Sequence, residues 1–93
     1  MEKRLGTISI IAHRDSATPE KVNALLSEHA HLILGRLGLP YPDRGINIIT
    51  LVIDATVEEV SALNGKLGRL SGIQVRSLMT RPPHTEESAH DHS

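Results

Sequence analysis

The sequence predicts an α+β sandwich of βαββαβ order, in which a four-stranded antiparallel sheet carries two helices on one face, a ferredoxin-like arrangement. Three observations predict it. Residues Ile46 to Asp54 (Ile-Asn-Ile-Ile-Thr-Leu-Val-Ile-Asp) form a clear β-branched strand that follows a turn. Two segments with apolar residues at helical spacing each open on a helix-start signal. Strand pattern flanks both, so the order reads strand, helix, strand, strand, helix, strand.

The first strand runs from Leu5 to Ala12, with Ile8 and Ile10 on one face and Leu5, Thr7, Ser9 and Ile11 on the other. His13 to Ala17 is a polar connection. Thr18 is placed to cap the first helix, Pro19 suits its first position, and Glu20 favours the positive end of the helix dipole. Val22, Leu25, Leu26, His29, Ala30 and Ile33 continue at helical spacing. The helix signal fades between Leu32 and Arg36, and Gly35, Gly38 and Pro40 punctuate Leu34 to Tyr41, a second strand with a distorted edge. Pro42-Asp43-Arg44-Gly45 is a turn, and the central strand follows.

Thr56-Val57-Glu58-Glu59 has the form of a capping box, a hydroxyl residue with Glu three positions on. Val57, Val60, Leu63, Leu67 and Leu70 make the apolar stripe of the second helix, and Gly72 suits the left-handed stop after it. Ile73 to Thr80 is the last strand, with Ile73, Val75 and Met79 alternating against Gln74, Arg76 and Thr80. Residues 1–81 make one domain. Residues 82–93 are polar, poor in large apolar side chains and rich in His and acid, and are expected to be a disordered tail.

Composition narrows the function classes. The chain has 93 residues, enough for one domain. It lacks Cys, Trp and Phe, and Tyr41 is its one aromatic residue, so the core must be aliphatic. Without cysteine it has neither a disulfide framework nor a thiolate metal site. No apolar run approaches the roughly 18 residues of a membrane span, and no signal-type stretch follows Met1-Glu2-Lys3-Arg4, so a cytoplasmic protein without membrane contact is expected. Ten Lys and Arg against eleven Asp and Glu exert no strong pull toward nucleic acid.

The central strand also bears on partners. Ile46, Ile48 and Val52 point one way, and Ile49, Leu51 and Ile53 the other. A sheet face without helices would be solvated and polar, yet this one is aliphatic. A second copy covering that face or extending the sheet is the expectation, with Ile46, Ile48 and Val52 in the contact. Burying about 500 Å² of apolar surface per copy would supply ~12 kcal/mol before association costs.

Asn64-Gly65-Lys66-Leu67-Gly68-Arg69-Leu70-Ser71-Gly72-Ile73-Gln74-Val75-Arg76 resembles the signature of the iron-only hydrogenase system regulator family. Residues 1–4, 22–26, 36–40 and 48–53 also fit, so the resemblance covers about residues 1–80. It implies an ACT-like fold, related to the C-terminal domain of the nickel-responsive repressor. It further implies a homodimer or higher homo-oligomer that regulates a hydrogenase system at the level of transcription or assembly, through a ligand or a hydrogenase-system protein. Two features depart from the wider relatives. The loop from His13 to Ala17 lacks the glycine of amino-acid-binding ACT domains. The first strand begins near Arg4, leaving no room before it for a DNA-binding domain like that of the nickel repressor.

Histidines come first among candidate site residues. His29-Ala30-His31 would share a face on a strand and chelate a metal ion. At a helix end, positions i and i+2 point about 200° apart. Two imidazoles also leave a tetrahedral or square-planar site half empty. The plainer reading puts His29 in the apolar stripe and His31 at the helix C-terminal dipole. In the tail, His84, His90 and His92 with Glu86, Glu87 and Asp91 suit loose binding of a divalent transition metal such as Ni²⁺, Zn²⁺ or Cu²⁺, or plain solvation. No cofactor is required by the pattern.

Gly65 and Gly68 each cost ~1 kcal/mol relative to Ala in a helix. Either the helix packs very closely there, or bare backbone faces a ligand, with Lys66 and Arg69 beside it to hold an anion. Arg69, Arg76 and Arg81 are candidates for one basic sheet end, although a nucleic-acid surface would want stacking aromatics. No phosphate loop, Gly-x-Ser-x-Gly elbow or HExxH occurs, so no enzyme activity is expected. The readings are therefore a dimeric regulator, a metal sensor or carrier, and a nucleic-acid-binding regulator.

Overall fold

The computed structural model describes residues 2–13 and 19–81. Four strands and two helices follow one another as β1 (Arg4–His13), α1 (Pro19–Glu28), β2 (Ile33–Tyr41), β3 (Ile46–Ala55), α2 (Val57–Gly68) and β4 (Ile73–Met79). The sheet order is β2-β3-β1-β4 with every neighbouring pair antiparallel, so the predicted ferredoxin-like βαββαβ sandwich is the fold. The tail, residues 82–93, and the Thr18 cap lie outside the described residues.

One layer of aliphatic side chains forms the core. Ile8 and Ile10 of β1, Leu51 and Ile53 of β3, Val22 and Leu26 of α1, and Val60, Leu63 and Leu67 of α2 are all buried in it. Each such side chain contributes about 1.5–3 kcal/mol by leaving water. The helices therefore cover one face of the sheet only.

The boundary signals act as their chemistry requires. Thr56 Oγ1 accepts from the Glu59 N–H at 3.1 Å, and Glu59 Oε1 accepts from the Thr56 N–H at 2.9 Å, a reciprocal capping box. Gly45 (φ 64°) and Gly72 (φ 77°) take the left-handed conformation that turns the chain into β3 and β4. Gly6 serves a different purpose. A Cβ there would meet the Leu78 carbonyl oxygen at 2.6 Å and the Met79 sulfur at 2.5 Å, so β1 and β4 approach closely because the side chain is missing.

Two expectations need correction. The first helix stops at Glu28, Ala30–Leu32 forms a 3₁₀ turn, and Ile33 already belongs to β2. Ala30 is consequently exposed, and Leu32, which the helical spacing omitted, is buried. Val57 occupies the first helical position of α2 and is exposed, so the apolar stripe of that helix starts at Val60.

Candidate functional site

Three surfaces stand out: the open sheet face, a corner cleft, and a groove between the helices. The open face is set by register. Directly opposed residues in an antiparallel pair share a face. Leu39 of β2 faces Ile48 of β3, which faces Ile11 of β1. A second row runs from Val52 through Thr7 to Leu78 of β4. Tyr41, Ile46 and His13 form a third, and Leu37, Thr50, Ser9 and Arg76 a polar-centred fourth. Ile46, Ile48 and Val52 therefore lie together on this face. Leu37, Leu39, Tyr41, Leu5 and Leu78 join them, none of which the pattern of a single strand could place there. Leu37 is 70% exposed and Leu78 75%, well beyond what scattered surface leucines need.

The corner cleft, about 260 Å³, opens where β1 ends and α1 begins. Gly38 on β2 leaves it empty, since nothing lies within 4 Å of a Cβ built there. Val22 and Ile49 supply apolar wall, and Asn23, Asn47 and Arg36 supply polar groups. Arg36 Nη2 donates to Asn23 Oδ1 at 3.2 Å, tying β2 to α1 across the opening.

The groove lies between Lys21, Ala24 and Leu25 of α1 and Lys66, Arg69 and Leu70 at the end of α2. Of the predicted ligand residues, Lys66 and Arg69 line it. The close-packing explanation of the glycines fails. Nothing lies within 4 Å of a Cβ built on Gly65, and only Val75 Cγ1, at 4.0 Å, approaches one on Gly68. Their cost in helix stability is not offset by tight packing among the described residues.

Next to the groove, Lys66 Nζ lies 3.5 Å from His29 Nε2 and 3.5 Å from Glu28 Oε1. Desolvation, then the neighbouring Lys66 ammonium, pushes the His29 pKa below its ordinary value. Contrary to the helical projection, the His29 and His31 rings stack with centroids 6.4 Å apart and planes at 22°. The 3₁₀ turn brings them to one side, where a continued helix would have separated them. Among the described residues, no three His, Asp or Glu side chains converge as a metal site. His90 and His92, like His84, lie outside the described residues.

The basic residues do not gather at one sheet end. Arg69 precedes β4, Arg76 stands mid-strand on the open face, and Arg81 follows the strand's far end. Seven residues of extended chain separate the two ends by about 20 Å. Among the described residues, no helix is long and apolar enough to cross a membrane.

The fold and sequence have known counterparts. Residues 4–77 match the family described as "TM1266-like: Iron-only hydrogenase system regulator, putative". The solved structure of protein TM1266 from Thermotoga maritima is 32% identical, covers 86% of this chain and 100% of its own, and superposes with a TM-score of 0.83. The nitrogen regulatory PII-like protein CPII from Thiomonas intermedia K12 is 19% identical over 86% of this chain and 96% of its own, with a TM-score of 0.46. No protein of curated function matches significantly. With four-fifths of its length matched by the family model, the chain belongs to the TM1266-like iron-only hydrogenase system regulator family.

Proposed function

We propose that this protein is a self-associating, ACT-like regulator of an iron-only hydrogenase system, acting by binding and not by catalysis. The aliphatic rows of the open sheet face carry the self-association. Leu39, Ile48 and Ile11 stand beside one another there, and neither α1 nor α2 lies over them. A second copy packed face to face removes that surface from water. Family membership supports the regulatory role and its hydrogenase target. The corner cleft, with Arg36 above an apolar wall, suits a small effector with a carboxylate or phosphate group. The absence of cysteine and of a recognisable catalytic motif supports binding over chemistry.

Size-exclusion chromatography with light scattering tests the assembly. The expected result is a dimer or larger at micromolar concentration that becomes monomeric in Ile48→Asp. A wild-type monomer would refute it. Deleting the gene in a hydrogenase-producing host should change hydrogenase transcript or maturation level; an unaltered level would remove the regulatory role.

A further inference from the structure

We propose that the groove between α1 and α2 docks an acidic amphipathic helix from a partner protein. This deepens the protein-binding part of the function proposed above and does not depend on self-association through the sheet, which lies on the opposite side of the sandwich. The groove measures about 350 Å³ and is open along its length. Its floor is apolar, built from Ala24, Leu25 and Leu70, and its rims carry Lys21, Lys66 and Arg69. One carboxylate answers them, Glu28, 3.5 Å from Lys66 Nζ and itself exposed. No described carboxylate pairs with Lys21 or Arg69.

That layout selects a shape of ligand. A small inorganic anion needs donors converging on one point. Here Lys21 on α1 and the neighbouring Lys66 and Arg69 on α2 sit to either side of an apolar floor. The complement is elongated, with an apolar stripe and carboxylates on either side of it. An amphipathic helix laid into a groove has this form. Gly65 adjoins the groove, next in sequence to its lining residue Lys66. It stands one turn before Arg69 on the same side of α2, and nothing lies within 4 Å of a Cβ built there. A glycine without a packing role among the described residues leaves a notch where a partner backbone can come close.

The probe is a fluorescent synthetic peptide of about 18 residues, roughly five helical turns, with Leu along one face and Glu on the other. Anisotropy titrations of the full chain at about 0.1 M salt read its binding. The expected result is binding that weakens by about tenfold or more in Lys66→Glu/Arg69→Glu and in Gly65→Gln, with Leu37→Asp unchanged. Circular dichroism checks that each variant is folded, and Gln at an open helical position tests the notch without disturbing the core. Equal binding of a peptide with Lys for Glu, or of the same residues scrambled, would overturn the proposal. So would indifference to Gly65→Gln, or loss in Leu37→Asp. Tighter binding by Glu86→Gln/Glu87→Gln/Asp91→Asn would place the chain's own acidic tail in the groove and overturn the partner-helix reading. Unchanged affinity there supports it. A monomeric protein that still binds the peptide through Lys66 and Arg69 would refute self-association and leave the groove assignment standing.

Discussion

Lys66 Nζ stands 3.5 Å from His29 Nε2, an ammonium and an imidazole brought together at the end of the groove between α1 and α2. The imidazole accepts there only while neutral. Its folded pKa is lowered, first by desolvation and then by Lys66, from an ordinary 6.5. The unfolded chain therefore binds its proton first as pH falls. The stability that neutral His29 contributes is present above pH 6.5 and is lost as pH drops below it toward the folded value. Lys66→Met should raise the His29 pKa, read from the ring-proton shifts by NMR. An unmoved titration would show that the two groups do not interact.

The capping box makes a second pH-sensitive point. The Thr56 N–H donated to Glu59 holds that carboxyl below its ordinary 4.5, so the stability it contributes is fully present above that pH and is lost as pH drops below it through the lowered folded value. Thr56→Ala should cost about 1 kcal/mol in urea unfolding by orphaning the start of α2. A loss under a few tenths would mean that the cap is redundant.

Glycines at two positions should respond with opposite sign. Gly65→Ala should raise stability by about 1 kcal/mol, because nothing opposes the new Cβ and the helix loses its most flexible residue. Gly6→Ala should lower it by about 1–3 kcal/mol, because the Cβ overlaps the Leu78 carbonyl and β1 must move away from β4. Thermal melts distinguish them, and a shift of the same sign in both would contradict this account.

The two faces of the sheet should also separate. Leu51 is fully buried beneath the helices, and Leu51→Ala should cost about 2–5 kcal/mol. Leu37→Ser on the exposed face should change the intrinsic stability of the monomer by under about 0.5 kcal/mol while weakening self-association. Chemical denaturation at several protein concentrations reads both. Concentration-independent curves in the wild type would argue against assembly.

The order of elements, the capping box at Thr56, the turn glycines Gly45 and Gly72 and the aliphatic character of β3 were all legible in the sequence, because each rests on contacts between residues a few positions apart. The family signature at Asn64 to Arg76 was legible for the same reason. The end of the first helix was not. His29 to Ile33 keeps helical spacing, but Ala30–Leu32 turns as a 3₁₀ helix and Ile33 pairs with Ile53 as the first residue of β2. That competition also decides the histidines, whose rings stack because the helix has already ended. The candidate surfaces are tertiary as well. Whether Leu37, Leu39 and Leu78 extend the patch begun by Ile48 and Val52 depends on cross-strand register. Whether Gly65 faces a neighbour or open space depends on where α1 lies. Local chemistry determined the elements, and long-range packing decided which side chains were left over to meet a partner.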